Sequence, residues 1–147
     1  LWVVKKAYNS DDLISSGHIL FKDGCIQIEN TNASLPQMLF DDYPIYDSIV
    51  FDVDGDGIDE VCVLGFGRTS GLFTFTFRAA EIGADTLKYD TLFCTEWYDL
   101  SFIRGDDGVV RVQGIDQKEP PQTHLFDIAV VDGSIQLTED GQSISRY

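Results

Sequence analysis

The chain reads as a mainly β domain, a compact antiparallel sandwich or rolled sheet of about ten short strands joined by hairpins. Two observations carry that reading. The first is period-two alternation, the mark of half-buried strands: Leu72-Phe-Thr-Phe-Thr-Phe-Arg78 places Phe73, Phe75 and Phe77 on one face and Thr74, Thr76 and Arg78 on the other. The second is recurrent Asp-Gly punctuation in Phe21–Ile28, Gly105–Val112 and Val130–Leu137, each a turn followed by alternating residues and so a hairpin.

Strands are expected near 18–22, 25–29, 45–51, 61–66, 72–79, 86–94, 98–104, 109–115, 124–131 and 134–138. Helical turns are expected only within Lys5–Ser16, stopped by Gly17, and within Leu35–Asp42. Pro120-Pro121 marks a loop between the last two hairpins. Because strand side chains alternate between faces, the Phe73, Phe75, Phe77 face is expected to be buried and Thr74 and Thr76 more exposed. No linker or charge run divides the chain, so residues 1–147 read as a single domain.

At 147 residues the chain is long enough to bury a real core, and 44% hydrophobic residues separate it from disordered polypeptides. With 25 acids against 10 bases the net charge is −15, which repels nucleic-acid phosphates and anionic membrane surfaces alike. No segment approaches the ~18 apolar residues of a membrane-spanning helix, so direct membrane insertion of this segment is not expected. The first residue is Leu rather than Met, consistent with a piece whose signal or anchor has been removed.

Most of the chemistry lies in Asp52-Val-Asp-Gly-Asp-Gly-Ile-Asp-Glu60. Asp52, Asp54 and Asp56 occupy alternate positions and Gly57 permits a tight turn, so three carboxylates fold towards one point. Calcium takes six to eight oxygen ligands from carboxylates, carbonyls and water. Asp52, Asp54, Asp56 and Glu60 are therefore the candidate side-chain ligands and Ile58 the candidate carbonyl ligand. Without a cation these acids would repel one another. In an EF-hand the closing Glu is the twelfth residue of a loop between helices, but here the twelfth residue is Val63 and the flanks are β-branched. Magnesium rarely uses an all-protein cage, which leaves Ca²⁺ as the expected cofactor.

The strand, the acidic loop closing at its ninth position and the strand ending in Gly65-Phe-Gly67 resemble the FG-GAP or VCBS-type repeat of integrin-α-like β-propellers, over residues 49–67. By that resemblance Asp52, Asp54, Asp56 and Glu60 ligate calcium with the Ile58 carbonyl, while Asp59 points into solvent. The family has Asp more often than Glu at the closing position. A four-strand blade and a propeller of at least four blades do not fit about ten strands, so a propeller-like fragment is kept as the alternative architecture. More distantly, with Asp52-Val-Asp-Gly-Asp-Gly57, then Gly67-Arg-Thr-Ser-Gly-Leu-Phe-Thr-Phe75, then a final Leu125-Phe-Asp-Ile128 hairpin, the span from Phe51 to the end is similar to the extracytoplasmic C-terminal part of bacterial membrane metallopeptidase antirepressors of the β-lactam-sensor type, which implies a sensor domain.

Catalytic signals are sparse. His18 and His124 each sit in a strand-like run, where a lone His is more often a packed or surface residue than a base. Gly67-Arg-Thr-Ser-Gly71 lacks the spacing of a nucleophile elbow and reads as a hairpin loop. Glu96 and Asp99 could serve glycosidic chemistry only across about 5–9 Å of a cleft. Arg104-Gly105-Asp106 spells an adhesion tripeptide but reads as hairpin chemistry, and Asn32-Ala-Ser34 is a glycosylation sequon. Cys25, Cys62 and Cys94 read as small buried hydrophobes, with one disulfide plus a free thiol as the competitor. Tyr89, Phe93, Trp97, Tyr98 and Phe102 are expected mainly in the core, with an exposed sugar- or peptide-binding face as the alternative.

The expected function is a non-catalytic, extracytoplasmic (secreted or cell-surface), calcium-stabilised β-domain that binds or senses a protein, peptide or glycan. The alternative is a carbohydrate-active or other hydrolytic domain using an unidentified acid pair.

Overall fold

Alternation and turn chemistry set out most of the strands found in a computed structural model of the chain, which describes residues 3–5, 13–14, 19–22, 25–28, 36–40, 45–69, 72–81, 83–95 and 99–144. In chain order these are β1 (Val3–Lys5), β2 (Leu13–Ile14), β3 (Ile19–Lys22), β4 (Cys25–Ile28), a 3₁₀ turn (Gln37–Phe40), β5 (Ile45–Phe51), β6 (Glu60–Thr69), β7 (Leu72–Glu81), β8 (Tyr89–Thr95), β9 (Asp99–Arg104), β10 (Val110–Ile115), β11 (Thr123–Val131), β12 (Ser134–Glu139) and β13 (Gln142–Ser143). They form a five-stranded sheet β1-β5-β6-β7-β8, a second five-stranded sheet β13-β12-β11-β10-β9 and a small sheet β2-β3-β4. All pairings are antiparallel.

The two large sheets share one apolar core. Ile49, Cys62, Leu64, Phe75, Phe77, Ala79 and Phe93 of the first meet Leu100, Phe102, Val112, Phe126, Ile135 and Leu137 of the second. Phe77 meets Phe102 edge-on with ring centroids 5.5 Å apart. Polar side chains tie the layers as well. The buried Asp47 carboxylate on β5 accepts the Phe102 amide of β9 at 2.7 Å, and the Thr91 hydroxyl of β8 accepts the Ile135 amide of β12 at 3.2 Å. This is a sandwich of five-stranded sheets, not a run of four-stranded propeller blades.

Several turns follow their residues directly. Asp132-Gly133 joins β11 to β12 with φ of 50° and 76°. Positive φ at both central residues gives the type I′ geometry that matches strand twist. Asp140-Gly141, with φ of 51° and 82°, repeats the device before β13. Arg104-Gly105-Asp106 lies where β9 turns into β10, closed by Gly105 N–H to the Val109 carbonyl and Gly108 N–H to the Gly105 carbonyl. Gly67, Arg68 and Thr69, expected as hairpin loop, are the last residues of β6 and pair with Thr74, Phe73 and Leu72 of β7, while Ser70 and Gly71 lie outside the described residues.

Three expectations need correction. Thr74 and Thr76 are as buried as the Phe face, at 0% and 4% exposure, and Arg78 is buried too. The first sheet is therefore covered on both sides. On the second side lie Val61, Val63 and Ala80, and Leu39 of the 3₁₀ turn is also buried. The Arg78 guanidinium donates to the Met38 carbonyl of that turn and to Asp90. Within Lys5–Ser16, where a helical turn was expected, the described residues Lys5, Leu13 and Ile14 are strand, and the others lie outside the described residues. The short strands β1 and β13 were not anticipated. Cys62 and Cys94 are free and buried, as expected, and burial pushes both thiols above their ordinary range. The side chains of His18 and Cys25, and Asn32–Ser34, Glu96, Trp97 and Tyr98, lie outside the described residues.

Candidate metal centre

The acidic loop spans the turn between β5 and β6, and the Phe51–Glu60 pair of the ladder closes its base. Its shape comes from its own carboxylates. Asp52 Oδ1 accepts the Gly55 and Asp56 amides at 2.9 and 3.2 Å, and Oδ2 accepts the Gly57 amide at 2.7 Å. Asp54 Oδ1 accepts the Asp56 amide at 3.2 Å, and Asp56 Oδ1 accepts the Ile58 amide at 2.8 Å. Glu60 Oε2 reaches back to the Val53 amide at 2.8 Å. Such side-chain to backbone bonds are what Asp offers a turn in place of ladder partners. Gly55 and Gly57 take φ of 76° and 89°, a region that side chains disfavour.

With one oxygen of each residue holding an amide, Asp54, Asp56 and Glu60 turn the other towards Lys88 Nζ. One ligand atom from each of Asp52, Asp54, Asp56 and Glu60 lies within 4.8 Å of the others. Asp59 and Ile58 are exposed, so Asp59 faces solvent as the pattern implies. Glu60 is the buried member, at 0% exposure. It shares the strand face of Cys62 and Leu64, so its carboxylate sits at one end of the core.

Three participants were not among the expected site residues. Lys88, just before β8, brings its Nζ to 2.6 Å from Asp54 Oδ2, 2.9 Å from Asp56 Oδ2, 3.1 Å from Glu60 Oε1 and 2.7 Å from Glu81 Oε1. Glu81 enters through register, since it pairs with Glu60 across β6 and β7. Both come from distant sequence positions with no local motif. Tyr89 adds its hydroxyl as a donor to Asp54 Oδ2 at 2.9 Å.

The electrostatics follow from this crowding. Lys88 holds the Asp54 carboxyl well below the ordinary range, and the surrounding carboxylates, Asp54 foremost, hold the Lys88 ammonium well above its own. Burial raises Glu60 despite the Val53 amide and Lys88. Burial and then Asp54 push the Tyr89 phenol up to about 12. Among the described residues, the Lys88 ammonium contacts four carboxylates, those of Asp54, Asp56, Glu60 and Glu81, while Asp52 holds backbone amides with both of its oxygens. Like charges opposite one another in a sheet are destabilising, and the Glu60–Glu81 pair of β6 and β7 has Lys88 Nζ 3.1 and 2.7 Å from its two carboxylates. An all-oxygen donor set of this kind can hold a hard divalent cation.

The other candidates are scattered. Asp99 is exposed on β9. Tyr89, Phe93 and Phe102 are core residues rather than an exposed aromatic face. His124, by contrast, lies between two carboxylates, Asp116 and Glu139. Comparison of the chain with protein-family models, with curated proteins and with solved structures finds no match.

Proposed function

We propose that residues 52–60 form a calcium site that staples the β5–β6 hairpin of a non-catalytic β-domain, acting outside the cytoplasm to bind or sense a protein, peptide or glycan. The ligands are Asp52, Asp54, Asp56 and Glu60, with the Ile58 carbonyl. One observation carries the calcium assignment: one ligand oxygen from each of Asp52, Asp54, Asp56 and Glu60 lies within 4.8 Å of the others. Calcium accepts irregular oxygen cages of this size, whereas magnesium demands near-ideal octahedra with several waters. Extracellular calcium modules work at Kd of about 10⁻⁴–10⁻³ M, which supports a location where calcium is abundant. The acidic surface, with a net charge of −15, supports a partner other than nucleic acid or an anionic membrane.

The position of Lys88 favours a second reading, in which its ammonium is the permanent cation of the cluster and no metal binds. The two diverge at Lys88→Met. If calcium and Lys88 compete for one place, the substitution enlarges the rise in melting temperature that millimolar calcium produces over chelator. If Lys88 is the permanent cation, Lys88→Met is destabilised and calcium restores nothing. An unchanged melting temperature in calcium for wild type, Asp54→Ala and Lys88→Met alike would refute the calcium site.

A further inference from the structure

His124 stands on β11 two residues before Phe126, so alternation puts its imidazole on the core-facing side near one end of the second sheet. The two rings stack with centroids 6.3 Å apart and planes 12° from parallel. Nδ1 lies 2.9 Å from both Glu139 oxygens, and Nε2 lies 3.1 Å from Asp116 Oδ2. A neutral imidazole has one N–H donor and one bare acceptor nitrogen, and an ionised carboxylate can only accept. Both contacts are therefore hydrogen bonds only when the ring carries two protons.

Asp116 is 4% exposed and organises the segment after β10. Its Oδ1 accepts the Lys118 amide at 3.0 Å and the Gln122 amide at 2.9 Å, and its own amide donates to the Gln122 carbonyl at 3.0 Å. Residues 117–122 between these anchors are all exposed. His124 thus links the anchor of an exposed loop to Glu139 on β12.

We propose that Asp116, His124 and Glu139 form a proton-operated clasp: the protonated ring ties the 116–122 loop to β12, and its deprotonation surrenders one of the two carboxylate bonds and loosens the loop. The clasp is independent of any cation at residues 52–60. Among the described residues, the charged groups against the ring include Glu139 from β12 and Asp116 from the loop, with Lys118 beside Asp116. On β10 the residue paired with His124 is Gly114, which presents no side chain. Glu139 first, and Asp116 after it, raise the imidazole above its ordinary 6.5 against the opposing effect of burial. Burial works to raise Asp116, but the Gln122 and Lys118 amides and His124 together bring it below the ordinary carboxylate range. For a raised imidazole the stabilising contribution is complete below the unfolded value, near 6.5, and disappears as pH rises through the folded value.

The test is an NMR titration of the whole chain, following the His124 ring and amide exchange at Lys118 and Gln122, corrected for intrinsic exchange. Wild type should titrate above 6.5, with Gln122 protection at least tenfold greater below the midpoint than above it. His124→Gln should show no such step, and its missing ring signal distinguishes His124 from His18. Glu139→Gln, a change at a half-buried side chain that the fold can absorb, should lower the midpoint. A wild-type protection factor that is flat across the midpoint overturns the clasp. So does a step that survives in His124→Gln, or a midpoint indifferent to Glu139→Gln.

Discussion

Replacing Glu60 by Gln separates what the buried carboxylate does for the fold from what it does for a cation. The side chain keeps its size and one oxygen, so the 2.8 Å bond from the Val53 amide can survive in neutral form. It loses the charge that burial disfavours. A carboxyl raised in the folded state is protonated more readily there than in the unfolded chain. Ionised Glu60 therefore lowers stability once pH rises from the unfolded value through the folded one, and the cost persists at neutral pH. In chelator at pH 7, Glu60→Gln should accordingly melt no lower than wild type. Calcium should reverse the order. At a hundredfold excess over Kd, wild type gains about 2.7 kcal/mol. For a chain of this size that is roughly 5–11 °C. If losing the closing ligand weakens binding a hundredfold, the variant gains only about 0.4 kcal/mol at the same calcium concentration, roughly 1 °C. Paired thermal melts by circular dichroism, on protein first stripped with chelator, read both effects. Equal calcium increments in the two proteins would show that Glu60 does not ligate. A variant that melts well below wild type in chelator would show that the charge itself supports the fold.

Other consequences are simpler to measure. A Cβ at Gly114 would meet Phe126 Cε2 at 2.8 Å and Leu100 Cδ2 at 3.1 Å, so Gly114→Ala should cost about 1–3 kcal/mol by overpacking; an unmoved urea midpoint would contradict the packing described. Thr74 buries a hydroxyl with no hydrogen-bond partner among the described residues, and Thr74→Val should raise the urea midpoint by removing that uncompensated group, whereas a fall of about 1 kcal/mol or more would show that the hydroxyl is satisfied. Purified protein offered peptide, ester and glycan panels should give no turnover; a rate abolished by changing one acid outside residues 52–60, with folding intact, would overturn the proposal of a non-catalytic domain.

The legible part of this chain was whatever local pattern determines. Alternation and Asp-Gly turns located β3 to β12 to within a few residues, because the strand period and turn φ values are properties of neighbouring residues. The clustering of Asp52, Asp54, Asp56 and Glu60, the acids that could hold a metal ion, was legible for the same reason, since a loop that closes on itself brings them together. Lys88 and Glu81 were not, because only the β6–β7–β8 register carries them to the loop. Thr74 and Thr76 teach a related lesson. Alternation tells which side a residue faces but not what covers that side, and polar Thr was mistaken for a solvent face. The His124 clasp was hidden because Asp116 and Glu139 lie in other segments. Asp140-Gly141 carried a turn signal that went unread beside so short a strand.

The wiring of the two large sheets has a kinetic side. Residues 45–95 and 99–143 each run as a meander, every strand pairing with the next in sequence; among the described residues only β1 joins from a distance. Such ladders can zip hairpin by hairpin with little loop entropy to overcome. Contacts that bring the layers together, such as Phe77 on Phe102 and Asp47 on the Phe102 amide, require closure over longer stretches of chain and belong late in folding. Loosening those inter-layer contacts should hasten unfolding while leaving the folding rate nearly untouched. The lifetime of the folded state then depends chiefly on the seam between the sheets.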